Sequence, residues 1–240
     1  MPVGLVGFDK RACGDASILV GIDEAGRGCL AGPVVAAAVF CESSFYGRSW
    51  CKRNSRNVDD SKRLTPERRA AVVQRFEYAK QQGWIRIGIG TASIEEIEQH
   101  NIFNANTLAM RRAVEQVMLP ETGTLWEAGS DDACAIVTLI DGRPIRAFPY
   151  AHQGVIKGDQ KSLAIALAGI HAKEHRDALM DELAEQHPDY GFSQNRGYGT
   201  EQHLEALREH GPCSCHRPSF LKKLFASDAD VSEVRQDSLF

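Results

Sequence analysis

The sequence predicts an α/β fold, with a mixed five-stranded sheet flanked by helices and a helical C-terminal part. Three observations lead there. Short β-branched apolar runs recur along the chain, at 18–23, 34–40, 84–90, 135–140 and 154–156. Longer segments with helical apolar spacing separate the later runs. Gly32-Pro33 stands between the first two runs as a turn, which makes them an antiparallel hairpin inside an otherwise crossed-over order.

Residues 1–17 carry no strong period and are expected to form a flexible tail. Ile18-Leu19-Val20-Gly21-Ile22 reads as a buried strand ending at Asp23, and Val34 to Phe40 as its hairpin partner. The polar, aromatic-dotted stretch 41–59 reads as a surface insertion without a fold element of its own. Thr65-Pro66-Glu67 combines an N-cap with proline at the first helical position and starts a helix through Gln82. Trp84 to Gly90 alternates as a half-buried strand, and Ser93 caps a helical region whose apolar spacing runs from Ile102 to Val117. Ala135 to Ile140 is the most strand-like run, closed by Asp141-Gly142. Gly154-Val155-Ile156 leads into Lys157-Gly158-Asp159, with helices expected over about 161–185 and 200–210. The polar residues 227–240 are expected to be disordered.

With 240 residues and 43% hydrophobic content, the chain is long enough to bury a sizeable core. No apolar run is long enough to span a bilayer, and the N-terminus lacks the apolar stretch of a signal peptide, so a cytoplasmic protein is expected. A net charge of -4 means that any nucleic acid must be held by local basic patches. One such patch lies at 52–69, where seven basic residues face three acidic ones. Seven scattered cysteines suit reduced thiols. Cys213-Ser214-Cys215-His216 has no second ligand pair at zinc-site spacing and is not read as a metal centre.

The chemistry gathers at strand ends. Asp23, Glu24, Asp141 and Asp159 all stand there, and neighbouring strands of one sheet would bring them close. Carboxylates so placed repel one another unless cations lie between them, and an all-oxygen donor set selects hard ions such as magnesium or manganese. A strand-end Asp-Gly taken alone is an ordinary turn. The tandem Asp23-Glu24 after an apolar run is harder to explain without a ligand, because burying unpaired charge is costly.

The stretches GIDEAGRGCLAGPVVAAAVF, DDSKRLTPERR, NIFNANTLAMRRAV, TLIDGRP, IKGDQKS, HAKEHRDALM, GYGTEQHLEALREHGP and HRPSF, in that order, resemble ribonuclease HII of the bacterial type over residues 18–220. The resemblance implies a ribonuclease-H-like catalytic domain at 18–186 and a helical substrate-binding part at 187–222. It implies that Asp23, Glu24, Asp141 and Asp159 hold two Mg2+ or Mn2+ ions, with Asp177 as a further acid near the site. Gly26, Arg27 and Gly28 would form the loop whose backbone reads a ribonucleotide 2′-hydroxyl. Tyr198 would stack near the junction nucleotide and Lys62 would contact phosphate.

The implied activity is cleavage of the RNA strand of RNA–DNA hybrids, and 5′ of single ribonucleotides in duplex DNA, by a monomer. A DNA nuclease on the same fold would have no need of the glycine loop. Two departures stand out: Asn195 replaces a usual histidine and Gly169 a usual serine. The end of the 223–240 tail, Gln236-Asp237-Ser238-Leu239-Phe240, resembles a short peptide that docks on the bacterial sliding clamp.

Overall fold

A computed structural model describes residues 4–117 and 136–222. Five strands, β1 (Ile18–Ala25), β2 (Val34–Glu42), β3 (Ile85–Ala92), β4 (Ile136–Asp141) and β5 (Gln153–Val155), form one sheet in the order β3-β2-β1-β4-β5. The expected hairpin is present, with β1 antiparallel to β2 and β2 antiparallel to β3. The chain then crosses over, so that β4 runs parallel to β1 and β5 parallel to β4.

The helices are α1 (Leu5–Cys13), α2 (Ser49–Asn54), α3 (Pro66–Gln81), α4 (Ile94–Val117), α5 (Leu163–Gln186), α6 (Phe192–Asn195) and α7 (Glu201–His210). The expected cap at Thr65 holds, its side chain accepting from the Arg68 amide at the start of α3, and the Ser162 side chain accepts from the Ile165 amide at the start of α5. Thr200 does the same for α7. Within α4, Asn101 adopts φ 63° and its side-chain oxygen caps Phe103 and Asn104, which splits the element at a kink.

Successive side chains of β1 go to opposite faces. Leu19 joins α5 in one core, whereas Val20 and Ile22 join α4 in the other. Contact between α5 and β1 is very close: a Cβ on Gly21 would lie 2.3 Å from the backbone carbon of Ala164, so only glycine fits there. A third cluster ties Ala31, just after β1, to Met180 of α5 and to Tyr190, Phe192, Leu207 and Cys215 of the C-terminal part.

Two expectations are corrected. Residues 5–13, expected in a flexible tail, form α1, with Leu5, Val6 and Phe8 against the core. So short a helix is unstable alone, and the contact that fixes it lies far off in sequence. Buried Asp9 accepts the Ala164 amide at 2.9 Å, in the first turn of α5, where a helix favours negative charge. The 41–59 stretch is not bare surface either. It holds α2 and two short 3-10 turns, and its aromatics Phe45, Tyr46 and Trp50 pack with Phe76 and Trp84. The expected tail at 227–240 lies outside the described residues, as does Ala135.

Burial pushes the Asp9 carboxyl up from 3.8 to about 6, despite the amides and hydroxyls that favour its charged form. A raised folded pKa means that the contribution of Asp9 is fully present below about pH 4 and lost as pH rises through about 6. Asp9→Asn keeps a neutral acceptor and should flatten the stability profile between those values, with a gain over wild type of up to about 3 kcal/mol above pH 6. Denaturant melts at pH 4 and pH 7 measure it, and equal pH slopes in both proteins would rule the account out.

Candidate active site

Because β4 is parallel to β1 and Ile22 pairs with Ile140, the next residues, Asp23 and Asp141, stand side by side where β4 ends, two residues before the end of β1. By the same alternation both point to the α5 face, and Glu24 points to the α4 face. Asp159 follows β5 in a 3-10 turn entered through Lys157, whose φ of 55° turns the chain back toward the strand ends. The Gly158 amide donates to Asp141 at 2.6 Å and the Glu24 amide to Asp23 at 2.7 Å.

The electrostatics show that the sequence-predicted carboxylates are brought together. Burial holds the Asp23 carboxyl well above its usual range, with the charges of Glu24, Asp141 and Asp159 adding to the shift. Burial also raises Glu24. Arg27 opposes that shift through an ion pair at 2.7 Å, and Asn106 through a hydrogen bond. Asp159 is raised by burial and by Asp60 and Asp141. Burial and the neighbouring carboxylates both disfavour charge on Asp23, Glu24 and Asp159, and the cations Arg27 and Lys62 offset part of this, so a cation placed among these oxygens would be favoured. The donor chemistry fits hard divalent ions.

Gly169 faces this cluster from α5: a Cβ there would lie 2.3 Å from Asp23 Oδ2. The Asp23 carboxylate occupies the space that the usual serine would enter, so the departure bears on the position of a candidate ligand.

The Gly26-Arg27-Gly28 loop is gripped from inside. Buried Arg217 donates to the carbonyls of Gly26 (2.8 Å), Arg27 (3.2 Å) and Gly32 (2.9 Å). Buried Arg176 donates to Ala31 (3.0 Å), Pro33 (3.1 Å) and Arg196 (2.8 Å). In a trans peptide the N–H lies opposite the carbonyl, so the amides of Arg27 and Gly28 face away from Arg217. Gly26 has φ 88°, and a Cβ there would lie 1.9 Å from Arg176, so the position requires glycine. A groove of about 220 Å3 opens between this loop, Glu24, Ser61, Lys62, Lys173 and Tyr198.

Tyr198 is 40% exposed on that groove, with Lys173 Nζ 5.9 Å from its ring centroid. Burial and the nearby Cys29 thiol raise its phenol. Its loop is set by Asn195, which donates to the Tyr190 carbonyl at 2.6 Å and accepts the Gly197 amide at 2.8 Å. Asn195 therefore builds the turn that presents Tyr198.

Asp177 does not join the acid cluster. Arg69 (2.8 Å), Lys173 (2.6 Å) and Arg196 (4.0 Å) take up its charge, and through Lys173 it orders the groove wall. Arg69, counted in the basic patch, is likewise buried between Glu174 and Asp177 and is not available to phosphate. The other six basic residues of 52–69 are exposed.

Sequence reasoning assigned no role to Asn106, Asp60, Lys173, Arg176 or Arg217. Asp60 had a visible signal, lying two residues before Lys62. The buried arginines had none.

A sheet edge that gathers four carboxylates beside a cationic groove is the equipment of a metal-dependent phosphodiester hydrolase. A sequence profile of the family described as Ribonuclease HII matches residues 20–223, and the chain belongs to this family. Relatives of that name include one from Sphingopyxis alaskensis, 43% identical over 85% of this chain and 89% of its own length. Another, from Thermotoga petrophila, is 39% identical over 90% of this chain and 78% of its own length.

Among solved structures, the fold is similar to ribonuclease HII in its complex with PCNA from Archaeoglobus fulgidus (TM-score 0.60, 22% identity, 84% of this chain and 94% of that one). It is similar also to ribonuclease H2 from Pyrococcus horikoshii (TM-score 0.58, 20% identity, 84% and 93%). The chain is thus an endonuclease of the ribonuclease H type, from a family dependent on divalent metal.

Gly169→Ala should push the Asp23 carboxylate aside while favouring the helix by up to about 1 kcal/mol. The expected result is an unchanged or higher Tm with a several-fold higher metal concentration for half-maximal cleavage. Wild-type metal dependence in this variant would show that the Gly169 contact does not set the carboxylate.

Proposed function

We propose that this chain hydrolyses the RNA strand of RNA–DNA hybrids and cuts 5′ of single ribonucleotides embedded in duplex DNA, leaving 3′-hydroxyl and 5′-phosphate ends. The observation that carries the proposal is the placement of the four carboxylates in the same corner as a glycine loop with outward amides. Asp23, Glu24, Asp141 and Asp159 would hold two magnesium or manganese ions, which when bound supply Lewis acidity to activate water and stabilise the departing 3′ oxygen.

The amides of Arg27 and Gly28 fit the oxygen of a 2′-hydroxyl, the atom that separates RNA from DNA, and the bare glycine lets a sugar approach closely. Tyr198 offers an exposed ring at the groove wall for the junction nucleotide. Lys62, with the exposed basic residues of 52–69, supplies phosphate contacts that position the duplex without reading its sequence. The groove is built within one chain, which supports action as a monomer. A cut beside an embedded ribonucleotide would open its excision repair, in the cytoplasm.

Asp23→Asn and Asp141→Asn should each lower metal-dependent cleavage of a duplex with one ribonucleotide by at least about 100-fold, with duplex affinity largely kept. The cut position is mapped against an all-DNA control. Full activity in either variant, or equal cutting of the control, would refute the reading.

The C-terminal residues Gln236, Leu239 and Phe240 support docking on the bacterial sliding clamp, with apolar side chains inserting into a pocket. The Archaeoglobus relative is itself seen with PCNA. Removing residues 236–240 should abolish clamp affinity and spare cleavage of free duplex. Unchanged affinity in surface-binding measurements would eliminate the docking role.

A further inference from the structure

We propose that His187, Cys213 and Cys215 form a binding site for a thiophilic divalent cation such as zinc, chemically distinct from the carboxylate centre. The Cys213-Ser214-Cys215 spacing argued against a metal because no partner follows in sequence. The fold supplies one from elsewhere: His187 caps the C-terminal end of α5, and one ligand atom from each of the three side chains lies within 4.8 Å of the other two.

Two thiols and an imidazole are a borderline-soft donor set, suited to zinc and poorly suited to magnesium, so the two centres would not compete for the same ion. Zinc–sulfur and zinc–nitrogen bonds of about 2.0–2.3 Å place tetrahedral donors roughly 3.5–4 Å apart, so closing the triad needs only a small contraction. Each thiol releases its proton to water as its metal–sulfur bond forms.

The site is held from outside as metal sites are. Cys215 is buried, with its sulfur within 4.8 Å of that of Cys213. The Cys215 carbonyl accepts the Gly32 amide at 2.8 Å, and the His187 amide donates to Leu183 at 2.9 Å. His216 lies beside Cys213, with Nδ1 3.1 Å from its amide and 3.1 Å from its sulfur, and so orients the ligand loop as an outer partner. His187 and Cys213 are partly exposed, which leaves a path for entry.

From this turn a line of hydrogen bonds runs to the groove. The Cys213 amide donates to His216 Nδ1, His216 Nε2 lies 3.0 Å from His203 Nε2, and His203 Nδ1 lies 2.9 Å from the Tyr198 carbonyl. A bound cation would therefore brace the turn that supports Tyr198.

The test uses the full chain, reduced and stripped of metal, in excess magnesium to fill the carboxylate centre. Titration with cobalt should produce thiolate-to-cobalt absorption that saturates at one equivalent and is displaced by zinc, with two thiols protected from alkylation. Cys213→Ser should abolish the band. His187→Asn should weaken cobalt binding by more than the roughly 10- to 100-fold that loss of an outer partner costs. Both substitutions are at partly exposed positions, and circular dichroism verifies their folds. Asp23→Asn should leave the band intact. Absence of a thiolate band in wild type, or an undiminished band in the folded His187→Asn or Cys213→Ser protein, would overturn the proposal.

Discussion

Mutual repulsion among Asp23, Glu24, Asp141 and Asp159 is the constraint on which the rest of the structure turns. Burial raises the Asp23 and Asp159 carboxyls, and crowding with the neighbouring acids at one end of the sheet adds to the penalty. The fold holds them there by covalent and backbone means. Two parallel strands pair in register up to Ile22 and Ile140, amides of Glu24 and Gly158 grip the first and third acids, and Arg27 and Asn106 steady the second. What remains is a cluster of oxygen donors whose chemistry fits a hard divalent cation.

The other half of the site is positioned by buried positive charge. Arg176 and Arg217 are fully buried; Arg217 donates to three carbonyls of the loop that follows β1, and Arg176 to two there and to that of Arg196. Burial lowers Arg217 to about 10, so it stays charged at neutral pH. An unpartnered guanidinium would be intolerable there, and the carbonyls of a tight loop need donors. Each requirement meets the other, and residues near the end of the chain come to support a loop near its beginning.

Much of this was legible in the sequence, because the strand runs, the caps at Thr65 and Ser93 and the strand-end acids depend on local order. The hairpin followed from Gly32-Pro33. What was not legible depends on distant contacts. The short helix Leu5–Cys13 forms because Asp9 meets the start of α5, and Phe45, Tyr46 and Trp50 became core because Phe76 and Trp84 lie across from them. The pairing of Asp177 with Arg69, more than a hundred residues earlier, could not be read from its neighbours in the chain either.

The pleat of β1 carries a consequence for how this chain can vary. Asp23 and Glu24 are neighbours in sequence yet face opposite helices, α5 and α4. Adding or deleting one residue within Ile18–Ile22 would exchange their sides and swap the residues that face the two cores. This strand cannot change length without moving the acids. Its five-residue lead into Asp23 acts as a ruler, and divergence of the chain must leave its count intact.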